Sequence, residues 1–291
     1  MGGKASSPAC CPPGSLPELN AAAVARGDPR QPRGRQMQLQ ASGKLFYVYL
    51  VTPPEGVMIK GAVVYAHDIF GYCTGRSMLM CDDIAARGYV VAQPDLFETN
   101  DLREEKEMVW PPWNIFTKTP TFFTRLRQPW EHFEARLMET IKLLRSEAGP
   151  SIRVGAVGAC FGGWIVFRAA GMNPVPPIVC GVGWHPSPDI QRLQNSGPTT
   201  KEIFEAVKVP MLMMPSWQDL GYLMNESWWL KHLNKPGSPT EGSQSITFSE
   251  QLHGWTVRGD ITNAKVKRDV DLALNKTVEF FDKHVSATSK L

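Results

Sequence analysis

Ile152–Ala170, IRVGAVGACFGGWIVFRAA, is the stretch that decides the fold. Ile152–Val157 reads as a short apolar strand. Gly158-Ala159-Cys160-Phe161-Gly162-Gly163 then breaks it, and Phe161–Gly171 follows at once as an apolar helix. A strand entering a helix through G-x-C-x-G-G is a nucleophile-elbow pattern with Cys in place of Ser. The glycines have a steric reason. The central residue of such a turn has strained backbone angles, and side chains two positions to either side would collide with the adjoining strand and helix. The sulfur is left at the carboxyl end of the sheet, above a helix amino terminus whose partial positive charge favours thiolate. A cysteine between glycines is also commonly a small buried hydrophobe, and Gly-rich strand–helix turns also hold phosphates. No Walker Lys-Ser/Thr follows here, so the choice between packing and chemistry passes to the rest of the chain.

Outward from this segment the sequence alternates. Phe46–Thr52, Gly61–Ala66, Tyr89–Gln93, Ile178–Trp184, Met211–Pro215 and Ser245–Phe248 are short apolar or β-branched runs and predict strands. Ser77–Arg87, Trp130–Ser146, Lys201–Val207, Gly221–Leu233 and Ala264–His284 carry helical spacing. Strands separated by helices predict an α/β fold: a mostly parallel central sheet with helices on both faces. With no repeat and no second core, residues 43–291 read as one domain. Residues 1–42, rich in Pro, Gly, Ser and Ala, read as an irregular arm. Asp95–Gln128 interrupts the rhythm with Trp110, Trp113, Phe116, Phe122 and Phe123, and reads equally as a pocket wall or a satellite cluster.

Bulk properties narrow the function. Of 291 residues, 31 are Lys or Arg and 28 Asp or Glu, a net charge of +3 that predicts no nucleic-acid partner. No apolar run approaches the ~20 residues that span a bilayer, and the start lacks a secretory core, so a cytoplasmic protein is expected. Six cysteines without CxxC pairs or Cys/His clusters predict reduced thiols, no metal and no cofactor.

Two later residues turn Cys160 toward chemistry. Asp219 lies just past the strand Met211–Pro215 and His253 just past Ser245–Phe248, in the order nucleophile, acid, base and on the same sheet rim. His253 would take the thiol proton and Asp219 would orient it. Asp189 is the rival acid, one strand early. His67 precedes the nucleophile, His132 and His232 fall on helices, His284 is near the tail, and His185 is a possible pocket residue. The oxyanion donors expected are the N–H groups of Phe161 and Ile69.

With these residues placed, the chain resembles the dienelactone hydrolase family from about Phe46 to His284. The landmarks are DIFG at Asp68–Gly71, QPDLF at Gln93–Phe97, GACFGG at Gly158–Gly163, QD at Gln218–Asp219 and HGWTVRG at His253–Gly259, with an arm CCPPGSLP at Cys10–Pro17. The resemblance implies an α/β-hydrolase sheet, no metal, and hydrolysis of a small-molecule ester or lactone through an acyl-cysteine. It implies that Asp68 stands where relatives carry a glutamate that contacts the resting thiol. It also implies that Arg258 helps to bind the substrate, with Arg103 or Arg125 as a second arginine. Acyl transfer, a thioesterase or peptidase reaction, a non-catalytic binding protein and a lipid-anchored scaffold are the competing readings.

The start, Met1-Gly2-Gly3-Lys4-Ala5-Ser6, fits the N-myristoylation pattern at Gly2, and Cys10 and Cys11 could carry further acyl chains. Two chains would give stable peripheral membrane contact where one would not. A chance match and a family arm are the plainer readings of the same residues.

Overall fold

The predicted alternation closes into one eight-stranded sheet. A computed structural model describes residues 28–97, 124–194, 197–224 and 227–286. In chain order the elements are β1 (Arg35–Ala41), β2 (Lys44–Val51), β3 (Gly61–Ala66), α1 (Ser77–Ala85), β4 (Tyr89–Pro94), α2 (Trp130–Ala148), β5 (Val154–Ala159) and α3 (Phe161–Ala170). They continue with β6 (Gly181–Trp184), a 3-10 turn (Pro188–Leu193), α4 (Thr200–Glu205), β7 (Met211–Met214) and a second 3-10 turn (Gly221–Leu223). The last are α5 (Trp228–Leu233), β8 (Gln244–Ser245), α6 (Trp255–Arg258) and α7 (Ala264–His284).

Strand order is β1-β2-β4-β3-β5-β6-β7-β8. The pairs β1–β2 and β2–β4 are antiparallel, and every later pair is parallel. The strands β3 to β7 are buried along their length because both faces are covered, which is why they read as continuous apolar runs. Along β3, Ala62, Val64 and Ala66 join a core that includes Phe133 of α2 and Trp164 of α3. Val63 and Tyr65 face the opposite way, into a core with Ile84 of α1 and Phe281 of α7. The carboxyl ends of β3, β5, β6 and β7 therefore meet at one rim.

Four expectations change. The strand expected over Ser245–Phe248 is only Gln244–Ser245, with Phe248 in a separate bridge to Ser216. The arm read as irregular to residue 42 contains β1, an edge strand whose Met37, Leu39 and Ala41 alternate inward between glutamines. It folds back on β2 through Ser42 and Gly43, both at positive φ, the geometry of a two-residue hairpin. The helix expected over Gly221–Leu233 is instead a 3-10 turn and a separate α5. Met224 and Ser227 have extended backbones, so the chain is off the helical path at both. The strand expected to end at Val157 runs on to Ala159, directly into Cys160.

Gly2, Cys10, Cys11, Arg103 and the aromatic segment over 98–123 lie outside the described residues. Among the described residues, no helix is long and apolar enough to cross a membrane.

Candidate active site

Cys160 sits between β5 and α3 at φ 53° and ψ −112°. A side chain on that backbone is strained, and such strain persists only where neighbours over-determine it. Here they do. The Cys160 N–H donates to Trp184 O at 3.1 Å, and its carbonyl accepts from Gly163 N at 3.0 Å and Ser187 N at 2.9 Å. A Cβ on Gly158 would run into the Gly162 carbonyl, one on Gly162 into the Ala66 carbonyl, and one on Gly163 into Pro186. All three glycines of the motif are thus required by backbone approach. The Cys160 side chain is buried, with Sγ 3.5 Å from Ser187 Oγ. Two other described cysteines differ in environment: burial pushes the Cys81 and Cys180 thiols well up, which disfavours their thiolate forms.

Asp219 and His253 meet as the sequence predicts. His253 Nδ1 lies 2.5 Å from Asp219 Oδ1, with the two side chains 2% and 4% exposed. A neutral ring therefore donates from Nδ1 and keeps its basic lone pair on Nε2. Asp219 Oδ2 accepts from Ser216 N at 2.6 Å, and the Asp219 N–H returns to Ser216 O, a tight turn directly after β7. Gln218 Oε1 accepts from His253 N at 2.9 Å, tying the loop of Asp219 to the loop of His253.

His185 completes the base's surroundings. It follows β6 at φ 38°, is fully buried, and packs its ring edge-on to His253 with centroids 4.9 Å apart. Its Nε2 is 2.6 Å from Thr256 Oγ1. Burial, and then the nearby charge of His253, push His185 down to about 4, so it is neutral at ordinary pH. Asp219, Cys160 and Asp68 also bear on it, which places all of them in one neighbourhood.

The loop after β3 supplies the opposite wall. His67 is buried with Nδ1 2.6 Å from Asp68 O, while Nε2 accepts from Leu96 N at 3.1 Å. Those bonds set its tautomer and tie the loop after β3 to Leu96, and burial pushes its pKa down. Ile69 lies between residues already engaged: Phe70 N donates to Asp68 Oδ1 at 3.0 Å and Gly71 N to Asp68 O at 3.1 Å. Phe161 opens α3, so its N–H has no acceptor within the helix.

Asp68 and Arg258, expected as substrate contacts, are engaged with each other. Arg258 Nε lies 2.7 Å from Asp68 Oδ2 and Nη2 3.0 Å from Oδ1, with Thr74 Oγ1 at 2.7 Å from the same nitrogen. The guanidinium also stacks 4.0 Å from the centre of the Phe70 ring. Both residues are buried, which makes this a structural clamp between the β3 loop and α6. A second arginine, Arg76, reinforces it by donating to the carbonyls of Trp255, Thr256 and Gly259.

The rivals separate by their partners. Asp189 accepts from Tyr222 Oη at 2.8 Å and faces Arg192, away from His253. His132 faces Leu96 O, and His284 packs on Phe280 at the end of α7. Arg125 is close enough to oppose protonation of His67, though that places it beside the β3 loop without assigning it a ligand. Ser187 and Arg76 were not singled out from sequence, and Gln218 and Thr256 appeared there only within the landmarks Gln218–Asp219 and His253–Gly259. The strand-end tetrapeptide Trp184-His185-Pro186-Ser187 was the available signal, since polar residues there fall on the site's rim.

The chain is similar to several known proteins. Hydrolase pyvD of Aspergillus violaceofuscus is 25% identical over 247 residues, spanning 82% of this chain and 86% of its own. The rat carboxymethylenebutenolidase homolog is 26% identical over 138 residues, covering 46% of this chain and 51% of its own. The crystal structure of dienelactone hydrolase from Anabaena variabilis superposes with a TM-score of 0.56 at 18% identity, over 88% of this chain and all of that one. The shared architecture is the α/β-hydrolase fold. The model of the dienelactone hydrolase family matches residues 46–285, and the chain therefore belongs to that family as a hydrolase of the ester or lactone type.

Proposed function

We propose that the chain hydrolyses a small-molecule ester, lactone or thioester through an acyl-cysteine intermediate on Cys160. The observation that carries this reading is the buried His253–Asp219 pair, 2.5 Å apart, on the same rim as a cysteine held in a strained strand–helix turn. His253 Nε2 accepts the thiol proton, and Asp219 stabilises the imidazolium that results. The thiolate attacks the carbonyl carbon; a C–S bond forms and the carbonyl electron pair moves onto oxygen. The N–H groups of Ile69 and Phe161 receive that oxyanion. As the carbonyl reforms, the C–O or C–S bond to the leaving group breaks, and the leaving group takes the proton from His253. Water then gives a proton to His253 and adds to the thioester. The C–S bond to Cys160 breaks, releasing the acid and restoring the pair.

Asp68 and Arg258 act in this scheme by holding the β3 loop, and with it Ile69, against α6. Turnover of an aryl ester panel by wild type, Cys160→Ala and His253→Ala tests the reading. Both variants are expected to fall to background, and undiminished rates would remove Cys160 as nucleophile.

A further inference from the structure

The segment Trp184–Ser187 grips the nucleophile from both sides of its backbone. Trp184 O accepts the Cys160 N–H at 3.1 Å, and Ser187 N donates to the Cys160 carbonyl at 2.9 Å. Pro186 fills the space that Gly163 leaves open. Between them His185 is held at φ 38°, its N–H on Met214 O at 3.0 Å and its ring on Thr256. A strained turn fixed at this many points sets the position of the residue that follows it. That residue is Ser187, buried, with Oγ 3.5 Å from Cys160 Sγ.

We infer that the Ser187 hydroxyl donates a hydrogen bond to the Cys160 thiolate, holding the nucleophile ionised and aimed. The inference rests on the proposed role of Cys160. Sulfur's larger radius makes 3.5 Å a bonding distance to a hydroxyl. A thiolate has no proton to give, so in the ionised state only the serine O–H can donate. A donor that favours the charged form lowers the pKa of the group that accepts it. The other ionisable groups around this neighbourhood are His253 and Asp219 from the loops after β8 and β7, His185 from the loop after β6, and Asp68 with Arg258 across from them. Asp68 is tied to Arg258 and Phe70, and His185 is neutral, so a Ser187 variant leaves those charges in place.

The test is the pH dependence of iodoacetamide alkylation of the full chain, read by mass spectrometry at the peptide carrying Cys160. Ser187→Ala should raise the midpoint by about one pH unit, a roughly tenfold slower alkylation below the midpoint. Ser187→Thr should keep the wild-type midpoint, while Ser187→Val, of the same shape without the hydroxyl, should match Ser187→Ala. The Thr and Val pair keeps the test sound if Ser187→Ala alone disturbs folding. Equal midpoints in wild type, Ser187→Ala and Ser187→Val would overturn the inference while leaving the nucleophile standing. If instead wild-type Cys160 titrates like an ordinary thiol and Cys160→Ala keeps full ester turnover, the proposed function and this inference fall together.

Discussion

Replacing Asp68 by Asn isolates the contribution of one buried charge. The amide keeps the volume of the carboxylate and an oxygen for the Phe70 N–H, but it leaves Arg258 without its counter-ion. Arg258 is 7% exposed and Asp68 4%, so water cannot take over that role. Breaking a buried pair by neutralising one partner costs about 3–5 kcal/mol, because the remaining charge stays desolvated. At about 2–4 °C per kcal/mol for a chain of this general size, the melting temperature should fall by roughly 6–20 °C. The second variant is Arg258→Met, which removes the cation and keeps much of the apolar stem. Combining the two should recover at least half of the loss, since no lone charge is then buried. Urea unfolding of the four proteins, followed by far-UV circular dichroism, gives the cycle. A loss below ~1 kcal/mol for Asp68→Asn, or simple additivity in the double variant, would refute the view that this pair clamps the loop carrying Ile69.

Asp219→Asn should keep the fold and lower kcat on an aryl ester by about 10³–10⁴, because an amide cannot stabilise the imidazolium or enforce the tautomer; kcat within tenfold of wild type would reassign the acid. Gly162→Ala drives a Cβ into the Ala66 carbonyl. It should cost at least ~3 kcal/mol by displacing β3 from α3, read as a lowered urea midpoint. His185 titrates near 4 when folded against about 6.5 unfolded, so its contribution is complete above pH 6.5 and is lost as pH falls toward 4. At pH 5 the unfolded state binds the proton and the folded state does not, a loss of about 2 kcal/mol. His185→Asn should flatten the stability profile between pH 7 and 5 by about that amount, and an unchanged slope in urea titrations at the two pH values would contradict it.

Two different kinds of information were needed for the fold. Continuous apolar runs such as Gly61–Ala66 announce strands covered on both faces, and β3, β4 and β7 lie within a residue of where the runs indicated. Edges were harder. β1 is half-exposed and Gln-rich, so its inward Met37, Leu39 and Ala41 carry a weak signal that only pairing with β2 makes stable. The split of Gly221–Leu233 has the same origin: local helical propensity does not register that Ser227 restarts the chain from an extended backbone.

The site divides along the same line. The shared placement of Cys160, Asp219 and His253 was legible because each follows a strand, and strand ends in a parallel sheet share one rim. The glycines at 158, 162 and 163 were legible because backbone approach leaves no other residue a place. Pairings between loops were not legible. Nothing local to Asp68 announces Arg258, 190 positions away, and nothing local to Cys160 announces Ser187, 27 positions away. Side-chain direction and burial set those contacts, and both come into being only when the loops after β3, β6 and β8 are packed together. Residue type and order thus set which chemistry-bearing side chains reach the rim, while packing decides that Asp68 and Arg258 pair across two loops and that a serine hydroxyl faces Cys160.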